Sequence, residues 1–123
     1  MKSQKGAAMV ELALCLPILV LLLFGIVDFG RIFHAYLTID HSGREAAREA
    51  SVGKDVTLAV NKAVDTSSGL LTSSDVSVTF DPDPSRGSYV KVVVSHSVNY
   101  LTPIIGGLVP PFNLIDETVM RVE

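Results

Sequence analysis

Residues 12–27, LALCLPILVLLLFGIV, form a run without a charged side chain in a chain of 123 residues. When the five residues before it are added, the segment 7–27 contains one charge, that of Glu11. A helix rises about 1.5 Å per residue, so a helix of this length spans roughly the 30 Å hydrocarbon core of a bilayer. The sequence therefore predicts a single transmembrane helix at 7–27 and one small polar domain at 28–123.

Charged residues differ on the two sides of the apolar run. Lys2 and Lys5 precede it, whereas Asp28 and Arg31 follow it. By the positive-inside rule this favours a cytoplasmic N-terminus and an extracytoplasmic C-terminus, which places residues 28–123 in the periplasm if the source is a Gram-negative bacterium. The net charge of −3 comes without a basic patch, so no nucleic-acid partner is expected.

Two small residues, Cys15 in the run and Gly30 after it, bear on disulfide formation and on signal-peptide cleavage, respectively. Cys15 is the only cysteine, so no disulfide can form within the chain, and we interpret it as a small apolar residue. A secretory signal peptide would end in a small-x-small cleavage site. Gly30 suits the last position of such a site, but Asp28 two residues earlier does not. We expect the apolar helix to stay attached to the domain.

The helical period continues beyond the apolar run. One stripe at spacings of three and four is aromatic close to the run and consists of small residues farther along. We predict one helix from Ala7 to about Ser51, bent locally at Pro17, with another element packed closely on its small-residue half. The stripe contains Phe29, Ile32, Phe33, Tyr36, Ile39, Gly43, Ala46, Ala47 and Ala50.

The remainder of the chain carries the signals of a second helix and three strands. Asp55 is placed to cap a short helix that starts at Val56. Period-two patterns then predict an α+β fold, in which the alanine-rich half of the long helix covers a three-stranded antiparallel sheet. The strands are predicted at 76–80, 89–100 and 115–123, with the turn DPDPSRGS at 81–88 and an apolar loop at 101–114.

The sequence contains no recognisable catalytic or cofactor motif. A Gly-x-Ser-x-Gly elbow and a phosphate-binding glycine loop are both absent. His41 and Glu45 share a helix face without a third metal ligand, and the alternating oxygens from Asp81 to Ser85 lack the spacing of a calcium loop. We expect a non-enzymatic protein without metal, cofactor or small-molecule substrate. A membrane-tethered hydrolase that uses His96 and a serine is the enzymatic alternative.

The segment KGAAMVEL, residues 5–12, places a glycine and a carboxylate at the start of the apolar run. Gly6 follows two lysines, and Glu11 is the fifth residue after it. This pattern resembles the class III signal of type IV prepilins. The resemblance implies cleavage between Gly6 and Ala7, on the cytoplasmic side, by a membrane prepilin peptidase. The leader, residues 1–6, would remove both lysines and change the net charge from −3 to −5.

A longer N-terminal stretch resembles the TadE-like family, the minor pilins or pseudopilins of tight-adherence (Tad, or Flp) pilus systems. The resemblance implies a type IV pilin-like fold and a role in the assembly, initiation or capping of type IVc pili. It implies the bacterial inner membrane as the location, or the fibre at the cell surface. Residues 52–113 carry no such signature. The resemblance rests on VELAL (10–14), Pro17, LLLFGIVDFGR (21–31) and REAAREA (44–50).

The resemblance also implies partners and a role for Glu11. The partners would be other pilins and pseudopilins, the prepilin peptidase, the inner-membrane assembly platform and membrane lipid. A carboxylate two turns into hydrocarbon is costly when unpaired, but it can meet the amine of Ala7 on a neighbouring subunit after cleavage. Alternatively Glu11 reaches the interface without a partner, as in an uncleaved signal-anchored periplasmic scaffold or binding domain.

Overall fold

The computed structural model describes residues 2–123 and, among them, every side chain except that of Ile104. A long N-terminal helix, a short second helix and a three-stranded antiparallel sheet form an α+β fold, as predicted, and a third, short helix that was not predicted lies between the last two strands. The helices are α1 (Lys2–Gly53), α2 (Val56–Thr66) and α3 (Pro103–Leu108), and the strands are β1 (Val76–Asp81), β2 (Tyr89–Val98) and β3 (Phe112–Arg121).

Helix α1 is one continuous helix of 52 residues that passes through Pro17. It begins at Lys2 rather than at the predicted Ala7, because residues 2–6 contain no proline that would prevent helical hydrogen bonding. It ends after Gly53, where Lys54 takes a positive φ of 57° and its N–H donates to the carbonyl of Ala50 at 3.0 Å. The apolar part of α1 is long enough to cross a membrane and is fully exposed.

Helix α2 starts where the sequence predicts, because Asp55 caps it. The Asp55 carboxylate accepts hydrogen bonds from the backbone N–H groups of Thr57 at 2.8 Å and Leu58 at 3.3 Å. Ala59 and Ala63 are buried against α1, so the cap sets the start of a helix whose alanine face allows close packing.

The sheet is an antiparallel meander in the order β1-β2-β3. Strand β2 lies in the centre, and its alternate valines are completely or almost completely buried, as the period-two pattern predicts. Strand β3 begins at Phe112 rather than at 115, because Phe112 pairs with Val98 at the end of β2. The buried face of the sheet is formed mainly by Val76, Val78, Val90, Val92, Val94, Val98 and Leu114.

The alanine-rich half of α1 covers this face of the sheet, which confirms the predicted packing. The helix and the sheet approach closely at Gly43, where an added Cβ would lie 2.9 Å from the Asp116 carboxylate and 3.3 Å from the Thr118 hydroxyl. The buried line on α1 nevertheless differs from the predicted stripe near the apolar run. Phe29, Phe33 and Tyr36 are exposed, whereas the buried positions of α1 are Asp28, Ala35, Ile39, Ser42, Gly43, Ala46, Ala47, Ala50 and Ser51.

The connection between β2 and β3, residues 99–111, is called the β2–β3 loop below. It contains the short helix α3, whereas the sequence predicted irregular structure throughout. Thr102 precedes this helix and Pro103 is its first residue, a position at which the missing N–H of proline costs nothing.

Candidate functional site

The processing and assembly residues predicted from the sequence lie at the start of α1. Gly6, Ala7 and Glu11 are all exposed and helical. Ala7 and Glu11 are four residues apart, so they share one face of the helix, separated by a rise of about 6 Å. An added Cβ at Gly6 would have no neighbour within 4 Å. The segment around the Gly6–Ala7 bond is therefore free of contacts with the rest of residues 2–123.

The Glu11 carboxylate forms no ion pair and accepts no hydrogen bond within residues 2–123. Its surroundings on α1 are exposed apolar side chains such as Val10 and Leu12. An isolated ionised carboxylate can accept hydrogen bonds from a cation. Without a second titratable group beside it, it does not form a pair that could exchange a proton. No described residue of the chain is therefore available as a charged partner for Glu11.

A second carboxylate, which sequence reasoning noted only as a charge, is held by three hydrogen bonds. Asp28 directly follows the apolar run and is 5% exposed. Its Oδ1 accepts the N–H of Leu101 at 2.6 Å, and its Oδ2 accepts the N–H and the hydroxyl of Thr102 at 3.0 and 2.6 Å. Arg31 completes the group, since its Nη1 donates to the Asn99 carbonyl at 2.8 Å and lies 3.8 Å from Asp28 Oδ1.

These contacts favour the ionised form of Asp28. The hydrogen bond from the Thr102 hydroxyl, together with that from the Leu101 N–H, lowers the pKa of Asp28 below its ordinary value, and the Arg31 charge adds to the effect. The sequence signal for this site is a carboxylate directly after an uncharged run, where an unpaired charge is costly. The partners could not be predicted, because they lie 73 and 74 residues farther along the chain.

A carboxylate whose pKa is shifted in the opposite direction lies where α1 crosses the sheet. Desolvation between α1 and β3 raises the pKa of Asp116, and the negative charge of Asp40 adds to the rise. Arg44 is paired with Asp40, with 3.3 Å between Arg44 Nε and Asp40 Oδ2. Asp116 is thus a structural carboxylate that tolerates its charge poorly.

The histidines do not form a catalytic or metal-binding group in the described part of the chain. His41 is exposed, and His96 is half-buried on the inner side of β2, as the alternation predicts. No hydrogen bond joins His96 to a serine among residues 2–123, and the neighbouring Ser97 hydroxyl instead donates to Asn113 Oδ1 at 2.6 Å. The same residues hold no group of three or more side chains suited to a metal ion.

The predicted turn at 81–88 is a polar hairpin between β1 and β2. Asp83 Oδ1 accepts the backbone N–H of Ser85 at 3.0 Å and the hydroxyl of Ser88 at 3.3 Å. The hydroxyl of Ser85 contacts the same oxygen. Because these bonds within the turn occupy an oxygen that a calcium ion would need, they favour a polar turn over a calcium-binding loop.

Comparison with known proteins agrees with the N-terminal signature. The family model described as "TadE-like protein" matches residues 6–48, about a third of the chain and entirely within α1. No curated protein and no solved structure matches the chain. The matched segment contains Glu11, Pro17 and Asp28. The predicted resemblance is therefore confirmed over residues 6–48, which carry the signature of the TadE-like family, a family associated with Tad pili.

Proposed function

We propose that this protein is a minor pilin or pseudopilin of a Tad (Flp, type IVc) pilus system. A prepilin peptidase removes residues 1–6, and the chain then takes part in pilus assembly, initiation or capping. It sits in the bacterial inner membrane with its N-terminus in the cytoplasm and residues 28–123 in the periplasm. Its partners are other pilins and pseudopilins, the peptidase and the inner-membrane assembly platform.

The observation that carries the proposal is the division of α1 into two halves. The half after Asp28 packs on the sheet, whereas none of the most apolar window before it is buried by the rest of residues 2–123. A helix that exposes apolar side chains on all sides is stable in lipid or when it packs against other apolar helices. A pilin needs such a projecting helix, because it moves from the membrane into a bundle of identical or related helices.

Cleavage and assembly are linked through Glu11. A new amine at Ala7 lies one helical turn from Glu11 on the same face, so the amine of one subunit can meet the carboxylate of the next with a small axial shift. In a low-dielectric bundle the two charges attract strongly only when both are present and hydrogen-bonded. An unprocessed subunit has a peptide bond in place of the Ala7 amine, so it cannot form this pair.

The test is the N-terminus of the protein in its native host. Mass spectrometry of the membrane fraction should find a chain that begins at Ala7, and a strain without the prepilin peptidase should retain the leader. A Gly6→Leu variant, with a bulky residue at the cleavage position, should also remain uncut. A wild-type chain that begins at Met1 or Lys2 while the peptidase is present contradicts the proposal and favours the uncleaved anchored scaffold.

A further inference from the structure

The β2–β3 loop exposes apolar side chains that no other element of the described chain covers. Residues 97–115 contain no charged side chain. Helix α3 makes no extensive contact with another helix or strand of the described chain, and Leu108 in it is 79% exposed. Large apolar side chains grouped on one surface mark an interaction site. The exposed large side chains in and next to the loop are Leu101, Ile105, Leu108, Val109 and Phe112.

This loop lies at the membrane end of the domain. Strand β2 runs antiparallel to α1: Val94 lies beside Gly43, with 3.6 Å from its Cγ2 to an added Cβ, and Leu101 is bonded to Asp28. The distance from Gly43 to Asp28 along α1 is about 22 Å. The distance from Val94 to Leu101 along an extended chain is about 23 Å. The two lengths agree, so β2 runs back along α1 and the loop reaches Asp28 at Leu101 and Thr102, where the uncharged run ends.

The exposed surface of the loop is continuous in height with exposed apolar side chains on α1. Val27 is exposed just below Asp28, and Phe29 and Phe33 are exposed and stacked just above it. Phenylalanine and leucine side chains are typical of the apolar face of segments that lie in the membrane interface. Phe112, at the far end of the loop, is also exposed.

The charges closest to this surface are turned away from lipid. Asp28 is buried by the loop and accepts three hydrogen bonds from it, and Arg31 donates to the loop carbonyl of Asn99. A charge at this depth is costly unless it is paired or hydrogen-bonded. The loop therefore supplies hydrogen-bond partners to the two charges that follow the uncharged run and carries no charge of its own.

We propose that the β2–β3 loop docks into the interfacial region of the bilayer that α1 spans, on the side of the domain. Leu108 and its apolar neighbours enter the headgroup–acyl boundary, and the hydrogen bonds to Asp28 hold them at that depth. The protein thus contacts the membrane at α1 and at the loop, which restrains the tilt of the domain. The inference depends on the membrane span of α1 and not on the pilus function.

Lipid is the occupant that the position favours. The loop is bonded to α1 at Asp28, directly after the apolar run, so a bilayer around α1 ends next to it and no further partner is needed to bring the two together. The backbone of α3 ends with a bond from the Val109 N–H to the Ile105 carbonyl at 2.9 Å, which lowers the cost of placing it near hydrocarbon. A second copy of the chain as the occupant is a distinct outcome of the test below.

Because the chain contains no tryptophan, a single Trp reports on one site. Full-length Leu108→Trp is reconstituted in vesicles of phosphatidylethanolamine and phosphatidylglycerol, brominated on the acyl chains near the headgroup. The control is Val52→Trp, an exposed aliphatic position on α1 about 36 Å beyond Asp28. Both side chains are exposed, so neither substitution disturbs the core, and far-UV circular dichroism verifies the helix content.

Docking predicts that bromine quenches the fluorescence of Leu108→Trp several-fold more than that of Val52→Trp, at all protein-to-lipid ratios. Acrylamide should quench the two variants in the opposite order. Equal bromine quenching of the two variants overturns the proposal. Protection from acrylamide that appears only at high protein-to-lipid ratio also overturns it, because a second copy then covers the loop. Neither result depends on cleavage at Gly6 or on pilus assembly.

Discussion

Asp28 and Thr102, 74 residues apart, are joined by two hydrogen bonds to one carboxylate oxygen, from the Thr102 N–H at 3.0 Å and from its hydroxyl at 2.6 Å. The carboxylate lies on α1 directly after the uncharged run, and Thr102 lies directly before α3. This contact fixes the β2–β3 loop to α1 at the end of the apolar run. It also stabilises a loop whose other side chains are mostly exposed.

Removing this carboxylate should release the loop. In Asp28→Ala the N–H groups of Leu101 and Thr102 lose their acceptor, so their hydrogen exchange should accelerate at least tenfold while the central amides of β2 stay protected. Exchange is followed by mass spectrometry on the full chain in vesicles or detergent. The control is Glu117→Ala, which removes an exposed carboxylate paired with Lys91 at 3.4 Å. Equal protection of the loop in both variants would show that other contacts hold it.

The same contact should be sensitive to acid. The pKa of Asp28 is lowered in the folded protein, so its stabilising contribution is complete above the ordinary carboxyl pKa of 3.8 and is lost as the pH falls through the lowered value. Exchange of the Leu101 and Thr102 amides, corrected for the intrinsic pH dependence, should therefore lose protection only below about pH 4. Loss of protection that begins near neutral pH would assign the effect to another group.

Asp116 should respond to pH in the opposite direction. Its pKa is raised, so the folded state is favoured below the unfolded carboxyl pKa, and this advantage is lost as the pH rises through the raised folded value. Asp116→Asn should increase the free energy of unfolding at pH 7 by no more than about 1 kcal/mol, and so raise the melting temperature, and it should have little effect near pH 3. Thermal melts of Glu117→Gln at both pH values serve as the control. A destabilised Asp116→Asn at pH 7 contradicts this prediction.

Close packing at Gly43 should make that position intolerant of side chains. Gly43→Leu has to displace Asp116 and Thr118, and we expect a loss of about 1–3 kcal/mol in the free energy of unfolding. Gly30→Leu, on the same helix, is the matched control, because an added Cβ there meets nothing within 4 Å. Thermal melts in one detergent compare the two variants. Equal melting temperatures would mean that α1 can move away from the sheet at little cost.

Glu11 should matter for assembly and not for insertion. Glu11→Val removes the only charge in the segment 7–27, so the chain should enter the membrane at least as well as the wild type. We expect pilus assembly and co-purification with other pilins to fall by an order of magnitude or more. Leu14→Val, an exposed position on the same helix, is the control. Unchanged assembly in Glu11→Val would contradict the proposed pairing between Glu11 and the amine of Ala7.

Local patterns in the sequence account for most of the secondary structure. The cap at Asp55, the alternating valines of β2 and the small residues around Gly43 each act within a few positions of the chain, so their structure could be predicted. The details that differed depend on distant partners. Strand β3 begins early because Phe112 pairs with Val98, and the buried line of α1 includes Asp28 because a loop far along the chain covers it.

The sequence by itself determined that a long apolar helix carries one carboxylate behind Gly6 and leads into a small α+β domain, because hydrophobic period and local hydrogen bonding specify these features. It also determined the TadE-like signature of residues 6–48. Only the tertiary structure decided that Asp28 binds the loop at Leu101 and Thr102 and that α3 lies at the end of the apolar run. Such contacts form when the meander folds back along α1, and no local pattern encodes the height at which its loop meets the helix.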